Sequence, residues 1–199
     1  MRDLIIIEFL SLDGVMQGYG GPEEDTSGGF AHGGWGAAYQ DHVIGETAGR
    51  GMAATDAFLF GRRTYDKMAA YWPTGPADNP ITEHLNSSAK YVASRSPRTL
   101  EWKNTVQLEG DATAAVTRLK EQDGGTIAVL GSGDLAQTLI RDDLVDEYLL
   151  FVHPLLLGGG KRLFRDAPSP RPLRLLDVRP TTTGTLVLRY RPEKIGDRR

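Results

Sequence analysis

The stretch that decides the fold runs from residue 126 to residue 164 and reads TIAVL (126–130), GSGDLAQTLIR (131–141), VDEYLLFVHPLLLGGG (145–160) and KRLF (161–164). A buried apolar strand ends at two glycines that flank a serine, and an amphipathic helix begins at once. The unpaired N–H groups and the positive dipole end of such a helix bind phosphate. A second apolar strand follows and ends in glycines 158–160. The stretch therefore predicts a domain that handles a phosphorylated cofactor or substrate.

A second junction of the same kind lies at residues 58–65, which read FLFGRRTY. Its phosphate-binding candidates are Gly61, Arg62, Arg63 and Thr64. Arginines in a first helical turn oppose the helix dipole, so a phosphate bound between them would remove an unfavourable interaction. The alternative is that the arginines pair with a nearby acid such as Asp66. Two phosphate-type junctions in one domain favour a dinucleotide over a mononucleotide.

The turn at residues 131–136 fits the dinucleotide pattern G-x-G-x-x-G/A in its proper place between a strand and a helix. Its predicted cofactor contacts are Gly131, Ser132, Gly133, Asp134 and Leu135. The alternative is a purely structural turn, because the pattern alone is weak and lies late in the chain. Ser94 and Arg95 end another predicted strand, where ligands of open α/β sheets lie. The alternative for this pair is a capped loop.

Three further residues are candidates for catalysis or substrate binding. Asp13 follows the first strand and opens a glycine-rich loop, where partial burial would raise its pKa and keep a proton available for catalysis. Asp-Gly is also a common turn, so a structural role is the alternative. Trp35 and Asp41 offer an aromatic surface and a carboxylate for substrate binding. A core tryptophan and a helix-capping acid are the equally good alternative for these two.

Composition narrows the class of protein. The chain has 199 residues, a formal net charge of -3 and no cysteine. This charge gives no case for nucleic-acid or membrane binding, and we expect a cytoplasmic protein without a transmembrane segment. The four histidines have no ligand spacing, so no metal is expected. We expect one domain over residues 1–192 and a flexible tail over residues 193–199.

Strands that alternate with helices predict an α/β fold with a mostly parallel sheet. The two last strands, at residues 173–178 and 185–190, have no helix between them and predict a C-terminal antiparallel hairpin that turns at Gly184. A long glycine-rich loop is expected at residues 14–36, followed by a helix over residues 36–54.

With these residues in hand, the chain resembles the dihydrofolate reductase superfamily. GRRTYDKM (61–68) resembles the cofactor-binding turn G-R-x-T-[WY], VLGSGDLAQTLI (129–140) resembles the second glycine turn, and KYVASRS (90–96) resembles the strand and loop between them. The likeness is closer to the reductase domain of bacterial riboflavin biosynthesis and its stand-alone relatives. Those carry S-L-D-G near the start, here residues 11–14, and a late L-V-D-E-x-x-L-x-x-x-P-x-x-L-G-x-G-x-x-L-F, here residues 144–164.

The resemblance implies a three-layer α/β/α fold with a mixed sheet, and NADPH as hydride donor. It implies that residues 61–64 hold the adenosine phosphates, that Ser94 and Arg95 lie near the ribose 2′-phosphate, and that residues 131–135 hold the pyrophosphate. Asp13 would lie beside the nicotinamide and the substrate.

The resemblance also implies a homodimeric oxidoreductase that reduces a small heterocyclic or sugar-derived C=N or C=O group, like 5-amino-6-(5-phosphoribosylamino)uracil reductases. Two alternatives stay open. The protein reduces dihydrofolate itself, or it is a nucleotide-binding protein that has lost catalysis.

Overall fold

The computed structural model of the chain describes residues 1–165 and 170–193. Within these ranges the strands are β1 (Leu4–Ser11), β2 (Thr55–Gly61), β3 (Ala89–Ala93), β4 (Thr105–Leu108), β5 (Thr126–Leu130), β6 (Glu147–His153), β7 (Leu173–Pro180) and β8 (Leu186–Pro192). The α-helices are α1 (His42–Ala53), α2 (Arg62–Tyr71), α3 (Pro80–Ser87), α4 (Ala112–Glu121) and α5 (Gly133–Arg141). The strands form one mixed sheet in the order β4-β3-β2-β5-β1-β6-β8-β7.

The chain forms two compact units, and β1 contributes residues to both. The first unit consists of Met1–Ile6 and Thr47–Asp146. In it β2 pairs in parallel with β3 on one side and with β5 on the other, and β3 pairs in parallel with β4. The centre of β2 is fully buried, with Phe58, Leu59 and Phe60 all at 0% exposure. Continuous apolar runs of this kind are typical of parallel strands that are covered on both faces.

The second unit consists of Ile7–Glu46 and Glu147–Arg199. Its strands β6, β8 and β7 pair in antiparallel fashion, and β7 and β8 form the predicted C-terminal hairpin. The hairpin turns at Gly184, whose φ of 83° lies in the region that glycine adopts without strain. The prediction of a mixed, mostly parallel sheet that closes with an antiparallel hairpin is confirmed.

The predicted helix over residues 36–54 is wrong at its start. A 3-10 helix covers Trp35–Tyr39, the backbone of Gln40 is extended, and α1 begins only at His42. The carboxylate of Asp41 accepts a hydrogen bond from the backbone N–H of Val43 at 2.7 Å, which satisfies a donor of the first turn of α1. The strand predicted to run to the glycines at 158–160 is also wrong at its end, because β6 stops at His153 and Pro154 follows it. The remaining predicted strands and helices lie within two residues of their observed bounds. Residues 194–199 of the predicted flexible tail lie outside the described residues, and the single domain over residues 1–192 stays a prediction.

Lys90 of β3 is a fully buried lysine whose ammonium group binds carbonyl oxygens at the C-terminal end of α3. Its Nζ donates to the carbonyl oxygens of Leu85 at 2.7 Å and Ser88 at 2.8 Å, and lies 4.6 Å from the ring centroid of Trp102. The last carbonyls of a helix have no partners within the helix and favour a cation. Burial nevertheless lowers the pKa of Lys90 to about 8.

We predict that the Lys90→Met variant loses stability relative to the wild type as the pH rises from about 8 to 10.5. The pKa of Lys90 is about 8 in the folded protein and 10.5 ordinarily, so the unfolded chain binds the proton more tightly between these values. The free energy of unfolding of the wild type therefore rises with pH in this window, by about 3 kcal/mol at most. Urea unfolding of both proteins at either end of the window measures the difference.

The exposed Lys67 of α2 provides the control for this experiment. The free energy of unfolding of Lys67→Met should change with pH in the same way as that of the wild type. If the free energy of unfolding of Lys90→Met also changes like that of the wild type between about pH 8 and 10.5, the pKa of Lys90 is not lowered.

Candidate functional site

The predicted cofactor residues lie together in the first unit, at the carboxyl ends of three adjacent parallel strands. Ala93 of β3 is in register with Gly61 of β2, and β5 pairs with β2 on its other side. Three segments therefore begin at neighbouring strand ends: the loop after β3, the turn from β2 into α2 and the turn from β5 into α5. The structure brings together all of the predicted cofactor residues, Gly61, Arg62, Arg63, Thr64, Ser94, Arg95, Gly131, Ser132, Gly133, Asp134 and Leu135.

Two reciprocal hydrogen bonds join the two glycine turns. The N–H of Gly61 donates to Oγ of Ser132 at 2.9 Å, and the N–H of Ser132 donates to Oγ1 of Thr64 at 3.1 Å. Ser132 takes the left-handed conformation, with φ 62° and ψ 42°, directly after Gly131 with φ 58°. These side-chain bonds hold a serine where the backbone favours glycine. Ser132 and Thr64 therefore shape the turns, and the bonded N–H groups of Gly61 and Ser132 are not available to a phosphate.

The N-termini of α2 and α5 keep their other N–H groups available. The first N–H groups of any α-helix have no partner inside the helix. At α2 and α5 no side-chain hydrogen bond at the N-cap satisfies them either. Ala136 is the first residue of α5 to donate back, to the carbonyl oxygen of Ser132 at 2.8 Å. The two ends together can bind more than one phosphate group.

The arginines of the first turn are exposed. Asp66 pairs with Arg98 at 2.6 Å, so the alternative that it neutralises Arg62 or Arg63 is wrong. Over residues 1–165 and 170–193 neither of these two guanidinium groups has a hydrogen bond or an ion pair. Two unpaired cations at a helix N-terminus are locally unfavourable until an anion binds there.

Ser94 and Arg95 differ from each other in their surroundings. The Ser94 hydroxyl donates to the carbonyl oxygen of Ser96 at 2.9 Å, so it holds its own loop as the capped-loop alternative expects. Arg95 is exposed and has no ion pair in the part of the chain that the structure describes. The ion pair between Arg98 and Asp66 fixes the end of this loop to α2.

Asp13 lies in the second unit, at the centre of a hydrogen-bond network. Its carboxylate accepts from Oγ of Ser11 at 2.7 Å and from the backbone N–H groups of Leu157 at 3.1 Å and Gly158 at 2.9 Å. The guanidinium of Arg162 lies 3.3 Å away. The hydrogen bond from Ser11, with further help from the two backbone donors, lowers the pKa of Asp13 to about 2. The predicted rise in this pKa is wrong, because donors outweigh burial, and Asp13 holds no proton at neutral pH.

The structure places Trp35 and Asp41, the predicted substrate residues, in structural contacts within the second unit. Trp35 packs with Val15 and Phe30, and its indole N–H donates to the carbonyl oxygen of Gln17 at 2.8 Å. The Asp41 carboxylate accepts from Val43 and from both the hydroxyl and the N–H group of Thr182, which lower its pKa. The alternative roles, core tryptophan and helix-capping acid, describe these contacts. Substrate binding by either residue stays a prediction.

Three features of the second unit carry no sequence signal. Lys161 pairs with Asp25 at 2.6 Å, and this bond helps to bring the pKa of Asp25 to about 2 against the opposing effect of burial. Glu8 is buried in β1, where burial raises its pKa well above the ordinary value. His153 is buried in β6 among aromatic rings. Only long-range packing identifies these groups, because their partners are far away in the sequence.

Two broader features complete the description of residues 1–165 and 170–193. These residues contain no cluster of three or more His, Asp or Glu side chains that would hold a metal ion. None of their helices is long and apolar enough to cross a lipid bilayer.

The RibD C-terminal domain family matches residues 2–187, nearly the whole chain. The protein belongs to this family. Its relative YyaP of Bacillus subtilis strain 168, an uncharacterized protein, is 31% identical over 140 residues, which cover 68% of this chain and 73% of YyaP. The family is of the reductase type, as the sequence resemblance predicted.

Solved structures of similar proteins confirm the dihydrofolate-reductase-like α/β/α fold. A putative riboflavin biosynthesis protein from Shewanella sp. PV-4 has a TM-score of 0.67 at 18% identity, covering 96% of this chain and 99% of that one. Dihydrofolate reductase from Enterococcus faecalis, complexed with NADP(H), has a TM-score of 0.61 at 12% identity, covering 96% and 97% of the two chains.

We predict that Asp13→Asn destabilises the protein by about 1.5–3 kcal/mol at neutral pH, the range for hydrogen bonds to a charged group. The folded pKa of about 2 lies below the ordinary 3.8, so the stabilisation is present above pH 3.8 and is lost as the pH falls towards 2. Urea unfolding of the wild type and the variant, at neutral pH and in acid, measures the difference.

Asp123→Asn, at an exposed carboxylate in a loop, is the matched control and should leave the free energy of unfolding unchanged at neutral pH. If Asp13→Asn is as stable as the wild type at neutral pH, or if its deficit persists undiminished at pH 2, the network does not stabilise the ionised form.

Proposed function

We propose that the protein is an NADPH-dependent reductase that transfers hydride to a small heterocyclic or sugar-derived C=N or C=O group. The observation that carries this proposal is the pair of uncapped helix N-termini, α2 and α5, which follow the adjacent parallel strands β2 and β5. Membership of the RibD C-terminal domain family supports the reaction type.

The residues present fit a pyridine dinucleotide phosphate. The turn from Gly131 to Leu135 offers backbone N–H groups to the pyrophosphate, and Gly131 and Gly133 allow its close approach. Arg62 and Arg63 supply positive charge at the start of α2, and Arg95 supplies it beside the next strand end. Guanidinium groups bind phosphate with directed, charge-assisted hydrogen bonds. The ribose diol of NADH carries no charge, whereas NADPH carries a 2′-phosphate at the same place. Three guanidinium groups suit the additional phosphate, so we propose NADPH over NADH.

The nicotinamide cofactor supplies the hydride when it is bound, and the chain supplies binding, orientation and access control. The bonds between Ser132, Gly61 and Thr64 hold the two turns in one arrangement before any ligand arrives. Asp13, an ionised carboxylate, fixes the backbone of Leu157 and Gly158. We therefore propose a positioning role for Asp13 and not the general-acid role that its place in the sequence indicates.

A second candidate is a nucleotide-binding protein without catalysis, and the low pKa of Asp13 favours it, because that carboxyl donates no proton at neutral pH. Consumption of NADPH with a panel of heterocyclic substrates, dihydrofolate included, separates the candidates. Binding without turnover of any substrate would leave only the second candidate.

We predict that NADPH binds at least about tenfold more tightly than NADH, because a charge-assisted contact contributes about 1.5–3 kcal/mol. Isothermal titration of both cofactors measures the ratio. Arg95→Gln should reduce the affinity for NADPH and leave that for NADH within about twofold, because its predicted contact is the 2′-phosphate.

Gly133→Val should abolish the binding of both cofactors in a folded protein, because a side chain there blocks the approach of the pyrophosphate. Arg118→Gln, at an arginine in the last turn of α4, should bind both cofactors as the wild type does. Equal affinities of the wild type for the two cofactors, or normal binding by Gly133→Val, would overturn the assignment of this site.

We further propose that the protein forms a homodimer through the hairpin. Among the strands of residues 1–165 and 170–193, β7 is terminal in the sheet, so one edge of its backbone can pair with a second copy. Cross-strand pairing places Leu175, Val178 and Leu186 on one apolar face, and they are 48%, 46% and 41% exposed. A cytoplasmic location stays a prediction.

We predict that Val178→Glu converts the dimer to a monomer, because it places a charge on the apolar face of the hairpin. Sedimentation velocity measures the mass of the wild type and the variant. Val106→Glu, at a 58% exposed valine of β4, is the control and should leave the mass unchanged. A monomeric wild type would refute the proposal.

A further inference from the structure

His153 is fully buried in the second unit, and its two ring nitrogens differ in their surroundings. Nδ1 lies 3.0 Å from the carbonyl oxygen of Leu10. Because a carbonyl oxygen only accepts, this contact assigns the proton to Nδ1 and leaves Nε2 as an acceptor. Among residues 1–165 and 170–193 no group donates a hydrogen bond to Nε2.

Aromatic rings surround this imidazole. The ring centroids of Tyr19, Trp35 and Tyr39 lie 5.4, 5.2 and 5.3 Å from that of His153, and Phe9 lies at 6.2 Å. The planes of Trp35 and Tyr39 stand at 84° and 69° to the imidazole plane. Flat apolar surfaces therefore surround one unsatisfied acceptor.

This arrangement has a cost that the fold does not require. A buried acceptor without a donor costs about 1–3 kcal/mol, and an apolar side chain of similar shape would avoid that cost. The contact with Leu10 uses only Nδ1, so it does not explain why the second nitrogen is there. An unsatisfied buried polar atom in a folded protein calls for a ligand, an ordered water molecule or a chemical role.

The half-buried walls of the cluster indicate how a ligand would enter. Tyr19 and Tyr39 are both partly exposed, but Tyr19 stacks on Phe9 at a centroid distance of 4.2 Å and Trp35 is anchored by its bond to Gln17, which leaves Tyr39 as the side chain that can move. Rotation of a tyrosine side chain is a smaller change than movement of a strand. A flat ring that replaces such a side chain would keep the aromatic packing.

We propose that Nε2 of His153 accepts a hydrogen bond from an N–H group of a flat heterocyclic ligand that takes the place of the Tyr39 side chain and packs against Tyr19 and Trp35. This inference rests on the proposed function for the identity of the ligand as the substrate, and it makes His153 a specificity-determining residue. Burial lowers the pKa of His153, so the ring stays a neutral acceptor at neutral pH.

The proposal predicts a preference between two ligands that differ only at their nitrogens. A site built to hydrogen-bond an N–H group rejects an analogue that lacks it, because the buried partner is then left unpaired. Lumazine has N–H groups on its pyrimidine ring, and 1,3-dimethyllumazine has methyl groups in their place. The wild-type protein should bind lumazine at least about tenfold more tightly than the dimethyl compound.

Isothermal titration without cofactor is the first test. His153→Phe should reduce the affinity for lumazine at least about tenfold and remove the preference over 1,3-dimethyllumazine. His32→Phe, at an exposed histidine of the same unit, is the control and should keep both affinities. Circular dichroism and thermal melting establish that the variants are folded.

A second measurement uses the wild type and does not depend on the folding of a variant. In long-range ¹H–¹⁵N spectra of the histidine rings, the unprotonated Nε2 of His153 should shift when lumazine is added and stay in place with the dimethyl compound. Equal binding of the two ligands, no binding of either, unchanged binding by His153→Phe, or an Nε2 signal that lumazine leaves unmoved would each overturn the proposal.

The outcome is separable from that of the proposed function. NADPH binding is tested with residues of the first unit, and lumazine binding is tested without cofactor on residues of the second. A protein that binds NADPH but shows no lumazine preference retains the reductase proposal and loses only this inference. A protein that binds lumazine as expected but not NADPH loses the reductase proposal instead.

Discussion

The exchange of hydrogen bonds between Ser132, Gly61 and Thr64 is the interaction on which the candidate cofactor site depends. A serine in the left-handed conformation is strained by about 1 kcal/mol or more, and a helix that begins there without a side-chain cap leaves further donors unpaired. The two bonds to the neighbouring turn compensate for the strain and fix both helix N-termini in one arrangement. Because the turn does not have to reorganise, a phosphate that binds there keeps more of its interaction energy.

The sequence was sufficient for those parts of the fold that local physics determines. Continuous apolar runs such as residues 126–130 mark buried parallel strands, and glycine turns such as Gly131 mark where a helix begins. The predicted helix start failed at residue 36 because the capping acid, Asp41, lies five residues later and Trp35–Tyr39 form a 3-10 helix instead. A hydrophobic pattern locates an element, but the cap decides its first residue.

The chemistry of individual side chains could be predicted only where it depends on near neighbours. Asp13 follows a buried strand, which suggested a raised pKa, yet the hydrogen bond from Ser11, together with those from Leu157 and Gly158, lowers it. Glu8 shows the opposite outcome in the same strand region, since burial dominates and raises its pKa. The two carboxyls lie five residues apart, and the difference between them comes from whether the fold delivers hydrogen-bond donors.

A comparison of buried polar groups indicates where the fold gives up stability for function. Lys90 is fully buried, but the carbonyl oxygens at the end of α3 accept hydrogen bonds from its ammonium group, and the ring of Trp102 packs beside it. His153 is equally buried, and only one of its two nitrogens has a partner. The same chain that satisfies a buried cation leaves a neutral acceptor unsatisfied among aromatic rings. Residual cost of this kind persists mainly at sites that act on something else, so a binding role for His153 accounts for a cost that the packing of the imidazole alone does not explain.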